Sequence, residues 1–277
     1  MTFWCAQERA RKADGRLVLR IEDLDPDRCR KEFADAVSED LRWFGIDWDE
    51  GPDIGGPFMP YVQSERRRFY SQALEKLRVG GYVYPCKCSR KDVMQASLAP
   101  HEEEPIYPGT CRPASVATTV SAAKLEELPP ETAASTAATD TTAPITIATH
   151  WRFRVPDGER IDFVDERVGE QSAIAGREFG DFIVWRRDDV PAYQLAVVVD
   201  DAAMQVSEVV RGEDLLMSTF RQLLLYRALG LTPPKFYHAS LVLDKSGKRL
   251  AKRHGALSLR ALRDSGISPQ EMRIEAL

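Results

Sequence analysis

No stretch of this sequence approaches the roughly 18 consecutive apolar residues that a membrane-crossing helix needs; the best run is Leu195 to Val199. Met1 is followed by neither the charged nor the apolar segment of a secretory leader, so spanning and exported readings are set aside. Five cysteines cannot complete an even disulfide framework. Cys86, Cys88 and Cys111 group together while Cys5 and Cys29 stand apart, which suits a reducing compartment and a cytoplasmic location. Nor is one sign of charge in excess: 38 Lys and Arg against 43 Asp and Glu leave a net −5. That balance excludes nothing about nucleic acid, because such binding needs a local basic face rather than a basic total. A Walker lysine motif is missing, and so is any internal repeat at a period of roughly 20–50 residues. What remains is ordinary globular composition, 43% hydrophobic and 9% aromatic over 277 residues. It suffices for one large domain or two modest ones, with a core that needs no disulfides.

Residues Phe3 to Lys12 read as a short helix closed by Asp14-Gly15, and Arg16 to Ile21 then read as a strand that Asp25-Pro26 breaks. Phe33, Val37, Leu41 and Phe44 recur at helical spacing until Gly45 stops the run. A further helix starts near Ser64, carries Phe69, Leu74 and Leu77 on one side, and ends at Gly80-Gly81. Helices alternating with strands predict an α/β domain with a mostly parallel sheet. The stretch Ala114 to Thr149 is rich in Ala, Thr, Ser and Pro and too poor in core formers to repay its ordering entropy, so it reads as a flexible insertion. Beyond it, Trp151 to Val155, Ile161 to Val164, Phe182 to Trp185 and Tyr193 to Val199 are strand-like, and Leu215 to Leu229 is helical.

Four constellations could carry chemistry. Cys86, Cys88 and Cys111 offer three thiolates close in sequence, suited to tetrahedral zinc if a fourth ligand, His101 or the Tyr107 phenolate, joins them; the alternative is three ordinary cysteines. Arg20 to Arg28 form a charge-dense turn after a strand, where carboxylates can hold an ammonium group, or which is simply solvated. The basic loop Leu243 to Gly255 could follow a triphosphate and stabilise charge on departing pyrophosphate, or equally meet a nucleic-acid backbone or solvent. Finally, Tyr193 to Asp201 precede V-V-R-G-E-D at Val209 to Asp214, where Arg211 at a strand end suits a substrate carboxylate or an interior salt bridge with Asp200 or Asp201.

In this order the segments resemble the catalytic core of class I glutamyl-tRNA synthetases, and in particular their truncated paralogues, the glutamyl-Q tRNA(Asp) synthetases. The resemblance rests on R-L-V-L-R-I-E-D-L-D-P-D-R at Arg16 to Arg28, Y-V-Q-S-E-R at Tyr61 to Arg66, Y-P-C-K-C-S-R at Tyr84 to Arg90 and Y-P-G-T-C-R at Tyr107 to Arg112. It continues through Phe179 to Asp201 and Val209 to Leu215 and covers nearly everything except the insertion. It implies a Rossmann-like α/β core: residues 1–83 its first part, 84–113 a zinc-binding insertion, 114–149 the low-complexity insertion, 150–257 the second part, and 258–277 a helical tail. It implies further that Glu22 holds the amino group of glutamate, Arg211 its side-chain carboxylate, and that Tyr193 contributes a hydroxyl. Cys86, Cys88, Tyr107 and Cys111 match the family's positions for one structural Zn2+. Arg249-Leu250-Ala251-Lys252-Arg253 match its K-M-S-K-S loop, so Arg249, Lys252 and Arg253 would grip ATP, with Mg2+, and Lys252 would serve the activation step; Arg249 and Ala251 depart from the usual Lys and Ser.

The implied activity is ATP-dependent, tRNA-independent activation of glutamate and its transfer to the queuosine base of tRNA(Asp), by a monomer with no membrane association. The family pattern opens with a strand carrying R-F-A-P-S-P-T-G and an H-I-G-H signature, whereas Met1-Thr2-Phe3-Trp4 falls inside the following helix. The expectation is a chain clipped at its start, poorly active and poorly stable as written. The competing expectations are a fragment of a glutamyl-tRNA synthetase and an inactive tRNA- or partner-binding module.

Overall fold

The computed structural model describes residues 2–25, 29–89, 91–93, 106–114, 149–241 and 259–274. Helix α1 (Thr2–Lys12) opens the chain, and α2 (Lys31–Phe44) ends where expected, at Gly45. There φ is 90°, a left-handed position that a side chain resists, and the Ile46 N–H returns to the Leu41 carbonyl at 2.9 Å. A 3-10 turn (Gln63–Arg66) leads into α3 (Arg67–Val79), whose buried face is Tyr70, Ala73, Leu74 and Leu77; Leu74 and Leu77 fall there as expected, while Phe69, expected with them, is half-buried.

The segment Arg16 to Ile21, expected as a strand, is extended but makes, among the described residues, only isolated parallel bridges, Val18 with Glu50 and Ile21 with Val62. Its N–H groups at Leu19 and Ile21 reach the carbonyls of Glu50 and Tyr61 at 2.8 and 2.9 Å. A longer ladder is blocked by its partner, which carries Pro52, Pro57 and Pro60 and so lacks three donors within nine residues.

The strands are β1 (Val83–Cys86), β2 (His150–Phe153), β3 (Arg160–Asp165), β4 (Gly169–Ile174), β5 (Phe182–Trp185), β6 (Glu208–Gly212) and β7 (Lys235–Ala239). One sheet runs β1-β2-β5 and is antiparallel; the other runs β4-β3-β7-β6, with β3, β7 and β6 parallel and β4 antiparallel to β3. The described body is therefore mixed α/β, where the sequence predicts mostly parallel strands. The antiparallel β3–β4 hairpin escapes the pattern because β4, G-E-Q-S-A-I, carries few bulky residues and lies half exposed.

A second correction concerns Tyr193 to Val199, which begins helix α4 (Tyr193–Ala203) rather than a strand. A short continuous apolar run fits a buried helix as well as a buried strand, and periodicity alone cannot separate the two. Leu195 and Val198 join Tyr70 and Leu77 of α3, Phe179, Val184 and Trp185, and Phe220 and Leu224 of α5 (Leu216–Leu229) in the main core. A second core of Leu19, Leu41, Phe44, Ile46 and Trp48 receives Leu259 of α6 (Leu259–Asp264) and Met272 of α7 (Pro269–Ile274). Arg260 and Arg263 of α6 fasten it to Glu39 and Asp40.

Candidate functional site

A groove of about 2240 Å³ runs between the extended segment at 17–23 and β6, flanked by α1, by Val197 and Asp201 of α4 and by Met204 just beyond it. Glu22, Tyr193 and Arg211, distant in sequence, all line it. Arg9 of α1 ties the far end of the groove to β6 through Glu208 at 2.7 Å.

The floor is fixed by buried charge. Asp200 accepts hydrogen bonds from Arg66 Nε at 2.6 Å, Gln63 Nε2 at 2.8 Å and the Tyr70 hydroxyl at 2.8 Å. Asp201 accepts from Arg20 Nη1 at 2.7 Å, and Arg20 Nη2 donates to Glu22 at 3.0 Å. Burial alone would lower the Arg20 pKa; Asp201, Glu22 and Asp200 outweigh it, and the net shift is upward, so this guanidinium stays charged. Paired carboxylates and guanidiniums with several hydrogen bonds each can tolerate such burial; a lone charge could not. Glu22 is exposed in the groove and held on one side by Arg20.

Asp200 and Asp201 are thus engaged by Arg66 and Arg20, which removes the interior salt bridge considered for Arg211. That arginine, on β6 and 7% exposed, donates from Nε to His238 Nε2 at 3.1 Å, from Nη1 to Gln222 Oε1 at 2.8 Å and from Nη2 to Thr219 Oγ1 at 2.7 Å. Each of these acceptors is an uncharged side chain among the described residues, with Asp165 one step further behind His238 at 2.6 Å. Tyr193, 38% exposed, stands at the N-terminus of α4. Its pKa is raised because burial of the phenol outweighs the opposing pull of Arg211. Reading the sequence missed Asp165, Thr219, Gln222 and His238. The available signal was a polar side chain inside an otherwise apolar strand, as in K-F-Y-H-A at Lys235 to Ala239.

The cysteine cluster lies apart, where β1 ends against the loop 106–111. The sulfurs of Cys86, Cys88 and Cys111 lie within 4.8 Å of one another. The Tyr107 oxygen is 3.4 Å from Cys86 Sγ and 3.5 Å from Cys88 Sγ, and Cys88 and Cys111 are 3.6 Å apart. Tetrahedral zinc with Zn–S bonds of about 2.3 Å places its sulfurs about 3.8 Å apart, so three thiols and a phenol fit a four-ligand site. Hydrogen bonds to Cys111, first from the Lys87 backbone N–H and then from Tyr107, Cys88 and Cys86, outweigh burial and lower its pKa to about 7, favouring its thiolate, while burial raises the Tyr107 pKa. Arg152 reinforces the cluster, donating to Cys86 Sγ at 3.2 Å and lying 4.0 Å above the Tyr107 ring. His101, the other candidate fourth ligand, lies outside the described residues, as do Arg249, Lys252 and Arg253.

A model of the family described as tRNA synthetases class I (E and Q), catalytic domain, matches residues 2–276. The glutamyl-Q tRNA(Asp) synthetase of Symbiobacterium thermophilum is 49% identical over 264 residues, covering 94% of this chain and 75% of that protein. Its counterpart from Nitratidesulfovibrio vulgaris is 46% identical over 269 residues, covering 96% and 76%. A glutamate–tRNA ligase of Syntrophus aciditrophicus is 40% identical over 265 residues, covering 95% of this chain and 50% of its own. The crystal structure of a glutamate tRNA ligase from Elizabethkingia meningosepticum, in complex with its amino acid, superposes with a TM-score of 0.70 at 27% identity, covering 92% and 48%. The chain thus spans three quarters of the glutamyl-Q relatives and about half of these glutamate–tRNA ligases. Among the described residues, no helix is long and apolar enough to cross a membrane.

Proposed function

The chain belongs to the class I (E and Q) tRNA synthetase catalytic-domain family, and from that premise we propose that its groove activates glutamate with ATP, in the cytoplasm, for transfer to queuosine on tRNA(Asp). The observation that carries the reading is Arg211, a buried guanidinium whose described hydrogen-bond acceptors are all neutral. Such a cation is costly to bury, and a ligand carboxylate would complete it. Glutamate offers that carboxylate on its side chain and an ammonium group for Glu22, while Tyr193 presents a hydroxyl to the same space. The α-carboxylate then attacks the α-phosphorus of ATP, the new acyl–phosphate bond forms, and pyrophosphate leaves. In the second step a hydroxyl of queuosine takes the glutamyl group and AMP departs. Positioning and charge stabilisation suffice for such chemistry. Arg249, Lys252 and Arg253 are proposed for the triphosphate with Mg2+, and Lys252 for the activation step.

Cys86, Cys88, Tyr107 and Cys111 are the proposed ligands of one structural Zn2+, supported by the fit of the donor set. When bound, the metal would cross-link β1 to the loop 106–111, and no chemical step requires it.

Exchange of labelled pyrophosphate into ATP tests the activation step. It should require glutamate but no tRNA, and should fall about 30-fold or more in Arg211→Gln, the scale for removing one member of a buried, hydrogen-bonded charge pair. Transfer should occur to tRNA(Asp) containing queuosine and not to the same tRNA lacking it. Glutamate found on the tRNA terminus instead would support the glutamyl-tRNA synthetase reading, which the 40% identical ligase keeps in view. tRNA binding without ATP binding would support the non-enzymatic one.

A further inference from the structure

We propose that Asp165 and His238 form a positioning pair that aims the Arg211 guanidinium at the ligand carboxylate, an inference that rests on the reading of Arg211 just given. Three adjacent parallel strands bring the residues together: Asp165 ends β3, His238 lies on β7, and Arg211 lies on β6 directly beside His238. His238 is 0% exposed. Its Nδ1 is 2.6 Å from Asp165 Oδ2, and its Nε2 is 3.1 Å from Arg211 Nε and 3.2 Å from Thr219 Oγ1.

The chemistry of the donors fixes the tautomer. Arginine can only donate, so Nε2 must be the unprotonated, accepting nitrogen, and the ring proton sits on Nδ1 and is donated to Asp165. Asp165 is itself held, its Oδ1 accepting from the N–H groups of Arg167 and Val168 at 3.0 Å each and its Oδ2 from the His238 N–H at 3.1 Å. The result is a fixed carboxylate, a neutral imidazole and a guanidinium in line, so that Asp165 balances part of the Arg211 charge without occupying its ligand-facing N–H groups.

Three of the five Arg211 N–H groups are taken by His238, Gln222 and Thr219, and the Tyr193 hydroxyl shares those that remain with the groove where a ligand would bind. Helix α5 supplies only the uncharged Thr219 and Gln222, and Gln222 is oriented in turn by Gln194 at 2.9 Å, next to Tyr193. The other charged group acting on His238 is Arg167, which donates to the His238 carbonyl and pairs with Glu213. Protonating Nε2 would remove the acceptor for Arg211 and set a second cation against it.

Two substitutions separate positioning from bulk structure. In His238→Asn the amide can still donate to Asp165 but no longer reaches Arg211; in His238→Gln the amide oxygen falls near the Nε2 position and can still accept from Arg211. Calorimetric titration of glutamate into the full chain should give a Kd roughly tenfold or more weaker in His238→Asn, as expected for losing a hydrogen bond to a charged group. His238→Gln should recover most of that loss, and ATP affinity should be unchanged in both. Glutamate binding absent in the parent chain, or retained in Arg211→Gln, would overturn the reading of Arg211 and the pair with it. Binding lost in Arg211→Gln but unchanged in His238→Asn would overturn the pair alone. Should His238→Asn fail to fold, the ¹⁵N spectrum of the parent decides. Protonated Nδ1 with a bare Nε2 that shifts on adding glutamate upholds the pair; the opposite tautomer, or an imidazolium at neutral pH, overturns it.

Discussion

A single histidine links the stability of this chain to its proposed site. Burial pushes the His238 pKa below 6.5, with Arg211 and Arg167 adding to that effect and Asp165 opposing it. The unfolded chain therefore takes up this proton at a higher pH than the folded chain, and stability must rise with pH across the interval below about 6.5. Acidification through that interval costs stability. Urea unfolding between pH 5 and pH 7 should show this slope, and His238→Gln should flatten it. A residual slope should persist, because burial, aided by Arg152 and Arg187, also lowers the His150 pKa. An undiminished slope in the variant would mean that His238 is not the group being titrated. At this scale the sequence was most legible where a charge interrupts apolar neighbours, as Arg211 does in V-V-R-G. It was silent on Asp165 and His238, which are 73 residues apart and meet only because β3 and β7 lie side by side. It left Arg211 with two partners to choose between, a substrate carboxylate or Asp200 and Asp201, and those aspartates turned out to belong to Arg66 and Arg20.

Among the elements, the helices followed by a glycine were read well: α1, α2 and α3, and also α5, which is buried on most sides, all fall within a few residues of expectation. The elements misread as strands are α4, which is surrounded by core, and Arg16 to Ile21, which makes only isolated bridges among the described residues, while the half-exposed edge β4 and the short β7 were not read at all. One close approach between elements makes a prediction. A Cβ on Gly180 would stand 2.7 Å from Ile106 Cγ2 and 3.2 Å from the Tyr107 N, so Gly180 is what lets the loop 106–111 close over the start of β5. Its neighbour Asp181 anchors the same region, accepting from the Tyr84 hydroxyl at 2.5 Å and from the Val155 N–H at 2.9 Å. Gly180→Ala should displace Tyr107 from the three cysteines and weaken zinc affinity by roughly tenfold, the scale seen when supports of a metal ligand are removed. Competition with a chromophoric chelator would measure it, and glutamate affinity should not change. Equal zinc affinity in the variant would show that this contact does not hold Tyr107.

For the molecule as a whole, the fold class and family were legible because several ordered motifs span most of the chain, and the match over residues 2–276 agrees. The mixture of parallel and antiparallel pairing was not, since strand direction depends on long-range partners that no local pattern encodes. What the whole chain achieves is convergence: a turn near residue 22, the first turn of α4 and the end of β6 line one groove, over a floor of paired buried charges. The measurement that bears on this most directly is a crystal structure of the chain with glutamate. The account predicts the side-chain carboxylate within hydrogen-bond distance of the Arg211 guanidinium, the ammonium at Glu22 and the Tyr193 hydroxyl on the same molecule. Glutamate bound elsewhere, or an Arg211 guanidinium turned away from a bound amino acid, would contradict it.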